Sequence, residues 1–253
     1  MRFEGKTVVV TGASAGMGHR IALDFAKEGA TVIAVARRKE RLEALVKEAE
    51  GLAGKILAYA GDVTTKEMAE GMIDYAVEQG GKLDVLVNNA GIMDEFKPIT
   101  EMTDELWDKV MSVNLDGPVK AMRKAVEVML EQETGGNIVN IASIGGICGA
   151  RAGAAYTASK HAMVGISKNT AFMYAKNGIR CNVVCPGGVE TEIMSTQSNL
   201  SQFGMERAMA GLDSSIPPGK SEDISAVVLL TASDEGKFIN GSTIVVDGGV
   251  SCN

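Results

Sequence analysis

The sequence predicts an α/β protein built as a single-domain, doubly wound, parallel seven-stranded sheet flanked by helices. Seven short runs rich in β-branched residues alternate with amphipathic helical patterns, and this alternation favours parallel pairing. Apolar residues make up 45% of the chain but aromatics only 4%, which is typical of a buried parallel sheet packed by small aliphatic side chains. We expect residues 1–253 to form one domain, because no linker, repeat or low-complexity segment interrupts them.

The first strand and the turn after it predict a dinucleotide site. Residues 6–10 form a β-branched run, followed by a glycine-rich turn and a helical pattern, which is the Rossmann-type order. Gly12 permits the tight turn, Gly16 lets a pyrophosphate approach backbone N–H groups, and Gly18 lets the helix lie close to the sheet. The candidate cofactor-binding residues of this turn are Gly12, Ser14, Gly16, Met17 and Gly18.

The second strand, residues 31–36, ends in an alanine that is followed by cations. NAD-binding sites usually place Asp or Glu here, where the carboxylate bonds the ribose hydroxyls. A carboxylate would repel a 2′-phosphate, whereas a guanidinium can bind it through two hydrogen bonds. We therefore predict NADP(H) as the cofactor, with Arg37 as the first contact and Arg38 as the second. The alternative is that these cations only begin a solvated helix.

Two further strands end in candidate cofactor contacts. Residues 55–60 form the third strand, and Asp62 beyond it is placed to meet the adenine amino group. An amphipathic helix over residues 65–79 leads to the fourth strand, residues 83–87. Small and amide residues follow, which let the backbone approach the cofactor and can tie adjacent strands together. The candidates at these strand ends are Asp62, Val63, Asn89, Ala90 and Gly91.

A tyrosine and a lysine form the candidate proton-transfer pair. Tyr156 and Lys160 are four residues apart, which places them on one face of a helix. A free phenol has a pKa near ~10, and a neighbouring ammonium lowers it, so the pair can exchange a proton near neutral pH. Ser143 follows a strand over residues 138–142, and its hydroxyl can hold a carbonyl or alcohol oxygen. The alternative is an exposed helix that carries Tyr and Lys by chance.

Taken together, these motifs resemble the short-chain dehydrogenase/reductase family over essentially the whole chain. The motifs occur in the family's order: TGxxxGxG at 11–18, Asp62-Val63, NNAG at 88–91, Asn114, Ser143, Tyr156, Lys160 and Pro186-Gly187. The resemblance implies reversible hydride transfer between NADPH and a carbonyl. It implies that Ser143 bonds the substrate oxygen and that Tyr156 is the acid or base. Lys160 would lower the phenol pKa and bond the nicotinamide ribose.

The resemblance also implies a catalytic role for Asn114, whose main chain would hold a water that links Lys160 to solvent. A single long helix is predicted over residues 103–130. Pro118 has no N–H to offer the Asn114 carbonyl, so we predict that Pro118, beside Gly117, kinks the helix and frees that carbonyl for water. The alternative is a kink that serves packing only.

The strand over residues 179–185 leads into a loop that would cover the nicotinamide. By resemblance, the Val189 backbone meets the carboxamide and the Thr191 hydroxyl supports it, and the candidates here are Pro186, Gly187, Val189 and Thr191. Residues 192–215 would form a substrate-covering segment. In this segment Met194, Met205 and Met209 either shape an adaptable apolar pocket or simply pack. A last helix is predicted over residues 222–234, and a strand and turn over 243–249.

Composition limits the partners. The net charge is −7 without any Lys/Arg-rich run, so no nucleic-acid partner is expected. No secretory signal and no apolar run near ~20 residues is present, so we expect a cytoplasmic protein without a membrane span. The four cysteines and two histidines suggest no metal set, and reduced thiols are expected. Cys148 is hypothesised to line the substrate pocket. A homotetramer is expected by family analogy.

Three functions remain open. The first is reduction of an apolar ketone such as a hydroxysteroid, which the methionine-bearing segment favours slightly. The second is a 3-oxoacyl-(acyl-carrier-protein) reductase. Such reductases usually carry cations near their acidic carrier, whereas residues 130–134 carry two acids and residues 175–178 only Lys176, and Ala15 replaces a common Arg. The third is a non-catalytic NADP(H)-binding protein or interaction module, although Ser143, Tyr156 and Lys160 are all present.

Overall fold

A computed structural model describes residues 1–193, 197–210 and 215–252. Its centre is a seven-stranded sheet in the order β3-β2-β1-β4-β5-β6-β7, and every pair of neighbouring strands is parallel. The predicted doubly wound sheet is therefore confirmed. The strands are β1 (Thr7–Thr11), β2 (Thr31–Ala36), β3 (Lys55–Ala60), β4 (Val85–Asn88), β5 (Gly136–Ile141), β6 (Ile179–Pro186) and β7 (Thr243–Val246).

Helices cover both faces of this sheet. They are α1 (Gly16–Lys27), α2 (Lys39–Glu48), α3 (Lys66–Gly80), α4 (Asp104–Met111), α5 (Gly117–Glu131), α6 (Ala154–Tyr174), α7 (Gln202–Met209) and α8 (Ser221–Ala232). Residues of α1, α2 and α8 form the core on one face, and residues of α3, α5 and α6 form the core on the other. The strand order reverses between β1 and β4, which places a crevice at the carboxyl ends of these two strands.

The pattern of β1 explains why the sheet is buried on both sides. Successive side chains of a strand point to opposite faces. Val8 and Val10 join the core beneath α1, whereas Val9 joins the core beneath α3. Each fully buried valine stabilises the fold by about 1.5–3 kcal/mol relative to an exposed one. A continuous run of β-branched residues is thus what a central parallel strand requires.

Buried amides join the strands at the functional edge. The Asn88 amide donates to Oδ1 of Asn140 over 2.8 Å, and the Asn140 amide donates to the Ser167 hydroxyl over 2.8 Å. This chain connects β4, β5 and α6 through groups that are all nearly inaccessible to solvent. Buried polar groups that are paired in this way fix the relative positions of the elements they join. The expectation that asparagines tie adjacent strands is confirmed.

The predicted single helix over residues 103–130 is wrong in one respect. A π-helical turn, Ser112–Asp116, separates α4 from α5, and the Gly117 N–H bonds the Ser112 carbonyl. Pro118 lies in the first turn of α5, where a missing N–H is tolerated. A Cβ at Gly117 would lie 2.6 Å from the Val63 carbonyl oxygen, so only glycine fits. The helix is thus disrupted next to Gly117 and Pro118, as their sequence predicted. The disruption is a widened helical turn around Asn114 and not a simple proline kink.

Within the described residues, no helix combines the length and apolar character that crossing a membrane would require.

Candidate active site

The four candidate catalytic residues converge at the carboxyl edge of the sheet. Ser143 follows β5 directly, while Tyr156 and Lys160 lie on the face of α6 that packs against this edge. Asn114 lies in the π-helical turn and contacts α6 through a hydrogen bond to Ser159. Parallel strands bring their carboxyl ends to one edge, so residues far apart in sequence meet there.

Tyr156 is buried, with 8% of its surface exposed. Burial raises the pKa of Tyr156 to about 12, because the charged phenolate loses solvation, and a hydrogen bond with Ser143 offsets only part of this. The Ser143 hydroxyl also accepts a hydrogen bond of 3.0 Å from the Gly145 N–H, in a short 3-10 turn that ends at Gly146. The phenol is therefore protonated at neutral pH and adjoins the serine hydroxyl.

Lys160 is held between the sheet and the tyrosine. Its Nζ donates to the Ile141 carbonyl over 2.9 Å and lies 5.5 Å from the centroid of the Tyr156 ring. Burial lowers the pKa of Lys160 to about 8, because the ammonium is removed from water. Lys160 is not among the groups that shift the pKa of Tyr156 in this structure, and its ammonium bonds a backbone carbonyl. The expectation that Lys160 lowers this pKa stays a prediction.

Asn114 uses its whole amide to fix the segment after β4. Its Oδ1 accepts from the Ile92 N–H over 2.8 Å, and its Nδ2 donates to the Ile92 carbonyl over 2.9 Å. Nδ2 also donates to the Ser159 hydroxyl over 3.2 Å, which ties this segment to α6. A Cβ at Gly91 would lie 3.4 Å from Asn114 Oδ1 and 3.5 Å from Lys160 Nζ. The side chain thus positions the site, while the predicted water on the Asn114 carbonyl stays a prediction.

The glycine-rich turn leaves the start of α1 open to an anion. Among the described residues no side chain caps this helix, and its first turn carries no acid, so its N–H groups remain available. Gly12 and Gly16 adopt φ of 70° and 53°, which favour glycine. A Cβ at Gly18 would lie 2.4 Å from the Gly12 carbonyl oxygen. This geometry leaves room for the pyrophosphate of a dinucleotide at the turn, which also includes Met17, and the pyrophosphate contact stays a prediction.

Thr11 and Asn89 hold this turn against β4. The Asn89 N–H and the Ala90 N–H donate to the Thr11 hydroxyl over 3.0 and 3.1 Å. The Asn89 side-chain amide donates a hydrogen bond of 2.9 Å to the Thr11 carbonyl. Asn89 and Ala90 therefore lie directly beside the predicted cofactor crevice, at the point where the strand order reverses.

Arg38 is the cation that contacts the glycine-rich turn. Its Nε and Nη2 donate to the Ser14 hydroxyl over 3.2 and 3.0 Å. Arg41, one helical turn further along, pairs with Glu192 over 2.7 Å, and Arg38 lies 3.5 Å from the same carboxylate oxygen. Arg37, predicted as the first phosphate contact, is exposed. The structure thus adds Arg41, which sequence reasoning missed although its spacing from Arg38 suits one helix face.

Two other predicted contacts lie at the strand ends. Asp62 is exposed after β3, and its Oδ1 accepts a hydrogen bond of 3.0 Å from the Thr64 N–H. This arrangement is a local turn that leads into α3. Val63 is buried and packs in the same core as α3 and α5. The cofactor contacts predicted for Asp62 and Val63 both stay predictions, although the Val63 side chain packs in the core.

The loop after β6 lies against the glycine-rich turn. The Gly187 N–H donates to the Val246 carbonyl over 3.0 Å, which continues the pairing begun at Pro186. A Cβ on Gly16 would lie 3.0 Å from the methyl group of Thr191. Val189 forms a parallel bridge with Gly219 and packs on the core beneath α1. The predicted nicotinamide loop therefore adjoins the predicted pyrophosphate turn.

The predicted covering segment contains α7. Met209 is 46% exposed and Met205 is half-buried, so neither side chain is an ordinary core residue. Met194 lies outside the described residues. Cys148 is half-buried near the end of the 3-10 turn that follows Ser143. Within the described part of the chain, no cluster of His, Cys, Asp and Glu side chains is arranged to hold a metal ion.

Sequence reasoning also missed a strained turn beside the catalytic helix. Asp94–Lys97 is closed by a hydrogen bond of 3.1 Å from the Lys97 N–H to the Asp94 carbonyl. Both central residues, Glu95 and Phe96, have φ of 56°. Left-handed φ at both positions is typical of a type I′ turn, which favours Asn and Gly, and such residues cost about 1–3 kcal/mol each. Without a glycine, no sequence signal marked this turn.

Comparison with known proteins agrees with this geometry. Residues 6–201 match the model of the short chain dehydrogenase family. The "3beta-hydroxysteroid dehydrogenase 2" of Eggerthella lenta is 44% identical over 98% of this chain and 95% of its own length. The 3-oxoacyl-(acyl-carrier-protein) reductase FabG of Thermotoga maritima is 41% identical, with 99% of each chain covered. The chain belongs to the short-chain dehydrogenase/reductase family and is an oxidoreductase.

Solved structures show the same architecture. The crystal structure of levodione reductase matches with a TM-score of 0.90 at 32% identity, covering 99% of each chain. A short-chain type dehydrogenase/reductase from Mycobacterium marinum matches with a TM-score of 0.88 at 31% identity, covering 99% of this chain and 97% of its own. Family members use a nicotinamide cofactor.

Replacing Gly18 tests the cofactor crevice. Gly18→Ala should weaken nicotinamide dinucleotide binding strongly, because the new Cβ would lie 2.4 Å from both the Gly12 carbonyl oxygen and Asn89 Nδ2. Titration of cofactor fluorescence measures this. Gly165→Ala is the matched control, since nothing lies within 4 Å of its Cβ on α6. Equal binding by both variants would show that the crevice does not hold the dinucleotide.

Proposed function

We propose that this protein is an NADP(H)-dependent reductase that reversibly converts an apolar ketone, of the hydroxysteroid class, to a secondary alcohol. The observation that carries the reaction is the buried Tyr156 beside Ser143 and Lys160, at the edge where a dinucleotide fits. The other two parts of the proposal, the cofactor and the substrate, rest on separate observations.

The site residues divide the work of ketone reduction. NADPH, when bound, supplies the hydride. The Ser143 hydroxyl donates a hydrogen bond to the substrate oxygen, on which negative charge develops. Tyr156 gives its proton to the same oxygen, and the protonated state at neutral pH suits this role. Lys160 places a positive charge next to the Tyr156 ring. Asn114 hydrogen-bonds α6, the helix that carries both Tyr156 and Lys160.

The preference for NADP(H) is supported by charge at the end of β2. Arg38 spans from this strand end to Ser14 in the glycine-rich turn, so its guanidinium would border a 2′-phosphate on the adenosine ribose of a dinucleotide bound at this turn. Arg41 and Arg38 together face one carboxylate oxygen of Glu192. Both guanidinium groups could bind a phosphate in the same way, but the Glu192 carboxylate would repel it and would have to move aside first.

The substrate class is supported by similarity and by the covering segment. Besides the Eggerthella lenta relative, a 3beta-hydroxysteroid dehydrogenase of Mediterraneibacter gnavus is 38% identical over 98% of this chain. Phe203 and Met209 on α7 expose much of their apolar surface, which suits an apolar substrate. The Thermotoga maritima reductase makes a carrier-bound 3-oxoacyl thioester the second candidate. Against it, Glu131 and Glu133 are exposed acids where an acidic carrier would need cations.

Self-association is part of the proposal. Phe172 and Met173, at the end of α6, are 83% and 60% exposed, and Phe238 is fully exposed. Exposed apolar groups of this size mark interaction surfaces. A homotetramer, as expected from the family resemblance, would cover them, and light scattering after gel filtration measures the mass.

The Tyr156→Phe variant tests the reaction. We expect parent protein to oxidise NADPH in the presence of keto-steroids and the variant to lose turnover by about 10²-fold or more, because one donor to the developing oxyanion is gone. Cofactor fluorescence should show unchanged NADPH binding. The matched control is Tyr174→Phe at the far end of the same helix. Small diketones and acyl thioesters complete the panel, and near-parent turnover by Tyr156→Phe would refute the assignment.

Arg38 tests the cofactor preference. Arg38→Ser should raise the Kd for NADPH by about 10–100-fold, because a charged hydrogen bond to phosphate contributes about 1.5–3 kcal/mol. The Kd for NADH should barely change. Lys39→Ser, the adjacent exposed cation, serves as the control. If Arg38→Ser weakened the binding of NADPH and of NADH equally, a phosphate-binding role would be contradicted.

The lowered pKa of Lys160 predicts the pH dependence. We expect kcat/KM for reduction to be constant below pH about 8 and to fall above it, since burial lowers the pKa of Lys160 to about 8 and the ammonium is lost there. The Tyr156 phenol stays protonated throughout this range, because its pKa is about 12. Initial rates across buffers of constant ionic strength measure the profile. A profile that stays flat well into alkaline pH would contradict the role of the Lys160 charge.

A further inference from the structure

We propose that Asp94 is a positioning residue for proton transfer, whose buried carboxylate fixes the start of α6 and thereby the place of Tyr156. The inference rests on the proposed function only in that Tyr156 is the proton donor. Asp94 belongs to no motif of the sequence, and it lies 62 residues before the tyrosine.

The carboxylate of Asp94 caps the catalytic helix from a distance. The residue before α6 is Gly153, and no side chain of its own can cap the helix. Instead, one Asp94 oxygen accepts from the Gly153 N–H over 3.0 Å and the other accepts from the Tyr156 N–H over 2.8 Å. One of the two N–H groups is that of Tyr156 itself, so the cap acts directly on the residue that carries the phenol.

The Asp94–Lys97 turn packs closely against the start of α6. A Cβ at Gly153 would lie 2.6 Å from Asp94 Oδ2 and 2.5 Å from the Lys97 carbonyl oxygen. The Ala154 N–H donates to that same Lys97 carbonyl over 2.9 Å. Gly153 is thus required so that the turn Asp94–Lys97 can touch the start of α6. Asp94 itself is completely buried.

The turn is fixed on its other side by the covering segment. The Ser201 N–H donates to the Glu95 carbonyl over 2.9 Å, and the Ser201 hydroxyl caps α7 by accepting from the Gly204 N–H over 3.0 Å. Phe96 is nearly fully buried between these elements. Strained backbone persists only where its surroundings determine it, and this turn is held by both helices. The turn that carries the carboxylate is therefore hydrogen-bonded to the start of α6 on one side and to the start of α7 on the other.

Charge adds a second effect of Asp94 on the tyrosine. The Asp94 carboxylate contributes to the raised pKa of Tyr156, because a nearby anion disfavours the phenolate. The other titratable groups that face the phenol are Lys160 on α6 and Cys185 on β6, and Ser143 gives a hydrogen bond. Burial raises the pKa of Asp94 itself, although its backbone hydrogen bonds oppose this. Removal of the Asp94 charge should lower the pKa of Tyr156.

The Asp94→Asn variant separates positioning from plain stability. The amide keeps the size of the side chain but turns one acceptor into a donor that faces an N–H, and it removes the charge. We expect kcat to fall by about 10²-fold, as for small displacements of a reacting group, with the Kd for NADPH unchanged. The alkaline midpoint of alcohol oxidation should move to lower pH, because the base form of Tyr156 becomes easier to reach.

Asp84→Asn is the matched control. Asp84 is also a buried carboxylate, it accepts from the Thr7 N–H over 2.9 Å, and it lies at the opposite edge of the sheet. Its loss should lower the melting temperature without moving the pH midpoint. The proposal would be overturned if Asp94→Asn kept the kcat and the alkaline midpoint of the parent protein. It would also be overturned if Asp94→Asn and Asp84→Asn changed these two quantities equally.

Two further measurements test the proposal even if Asp94→Asn does not fold or if no substrate turns over. Asp94→Glu keeps the charge but cannot meet both N–H groups in the same space, so kcat should fall while the midpoint stays. If no substrate turns over, the phenolate absorbance assigned by difference from Tyr156→Phe reports the same titration without activity. A Tyr156 titration that is identical in parent and Asp94→Asn would overturn the proposal independently of the reaction.

Discussion

The hydrogen bond from Lys160 to the Ile141 carbonyl is the contact on which the site depends. It connects α6 to the last residue of β5, so one helix face is fixed against the carboxyl edge of the sheet. Once that face is fixed, Tyr156 must point to the same edge, one helical turn before the lysine. Because Ser143 lies only two residues beyond Ile141, its side chain then lies next to the phenol. A buried ammonium without this acceptor would be strongly unfavourable.

Burial acts on this pair in opposite directions. It raises the pKa of the phenol and lowers the pKa of the ammonium, so both effects favour the uncharged forms. The tyrosine therefore begins as an acid, which suits donation of a proton to a carbonyl oxygen. Oxidation of an alcohol requires the opposite state, and it should gain more from alkaline pH. In the proposed mechanism the same two residues would serve both directions, and the pH would decide which is faster.

Short sequence motifs predicted the parts of the site that are local. The strands β2 and β3 match their predicted bounds, because β-branched runs and turn residues mark them directly. The glycine-rich turn was predictable since only glycine fits at Gly12 and Gly18, where neighbouring backbone lies too close for a Cβ. Tyr156, Lys160 and Ser143 followed from helix spacing and from the end of a strand.

Contacts between distant segments could not be predicted in this way. Asp94 caps a helix that begins 60 residues later, and its turn contains no glycine to mark it. The π-helical turn at Asn114 was seen only as a kink, since a missing N–H at Pro118 does not say how the helix adapts. The sequence also could not show that Arg38, and not Arg37, hydrogen-bonds Ser14, because only the fold determines which side chain faces the glycine-rich turn.

The direct test of the account is transfer of a deuteride to the product. NADPH deuterated at the nicotinamide carbon that gives up its hydride would be incubated with a keto-steroid and the protein, and the alcohol analysed by mass spectrometry. The account predicts one deuterium on the carbinol carbon of the product. Product without deuterium, or formed equally fast when NADPH is omitted, would contradict hydride transfer at this site.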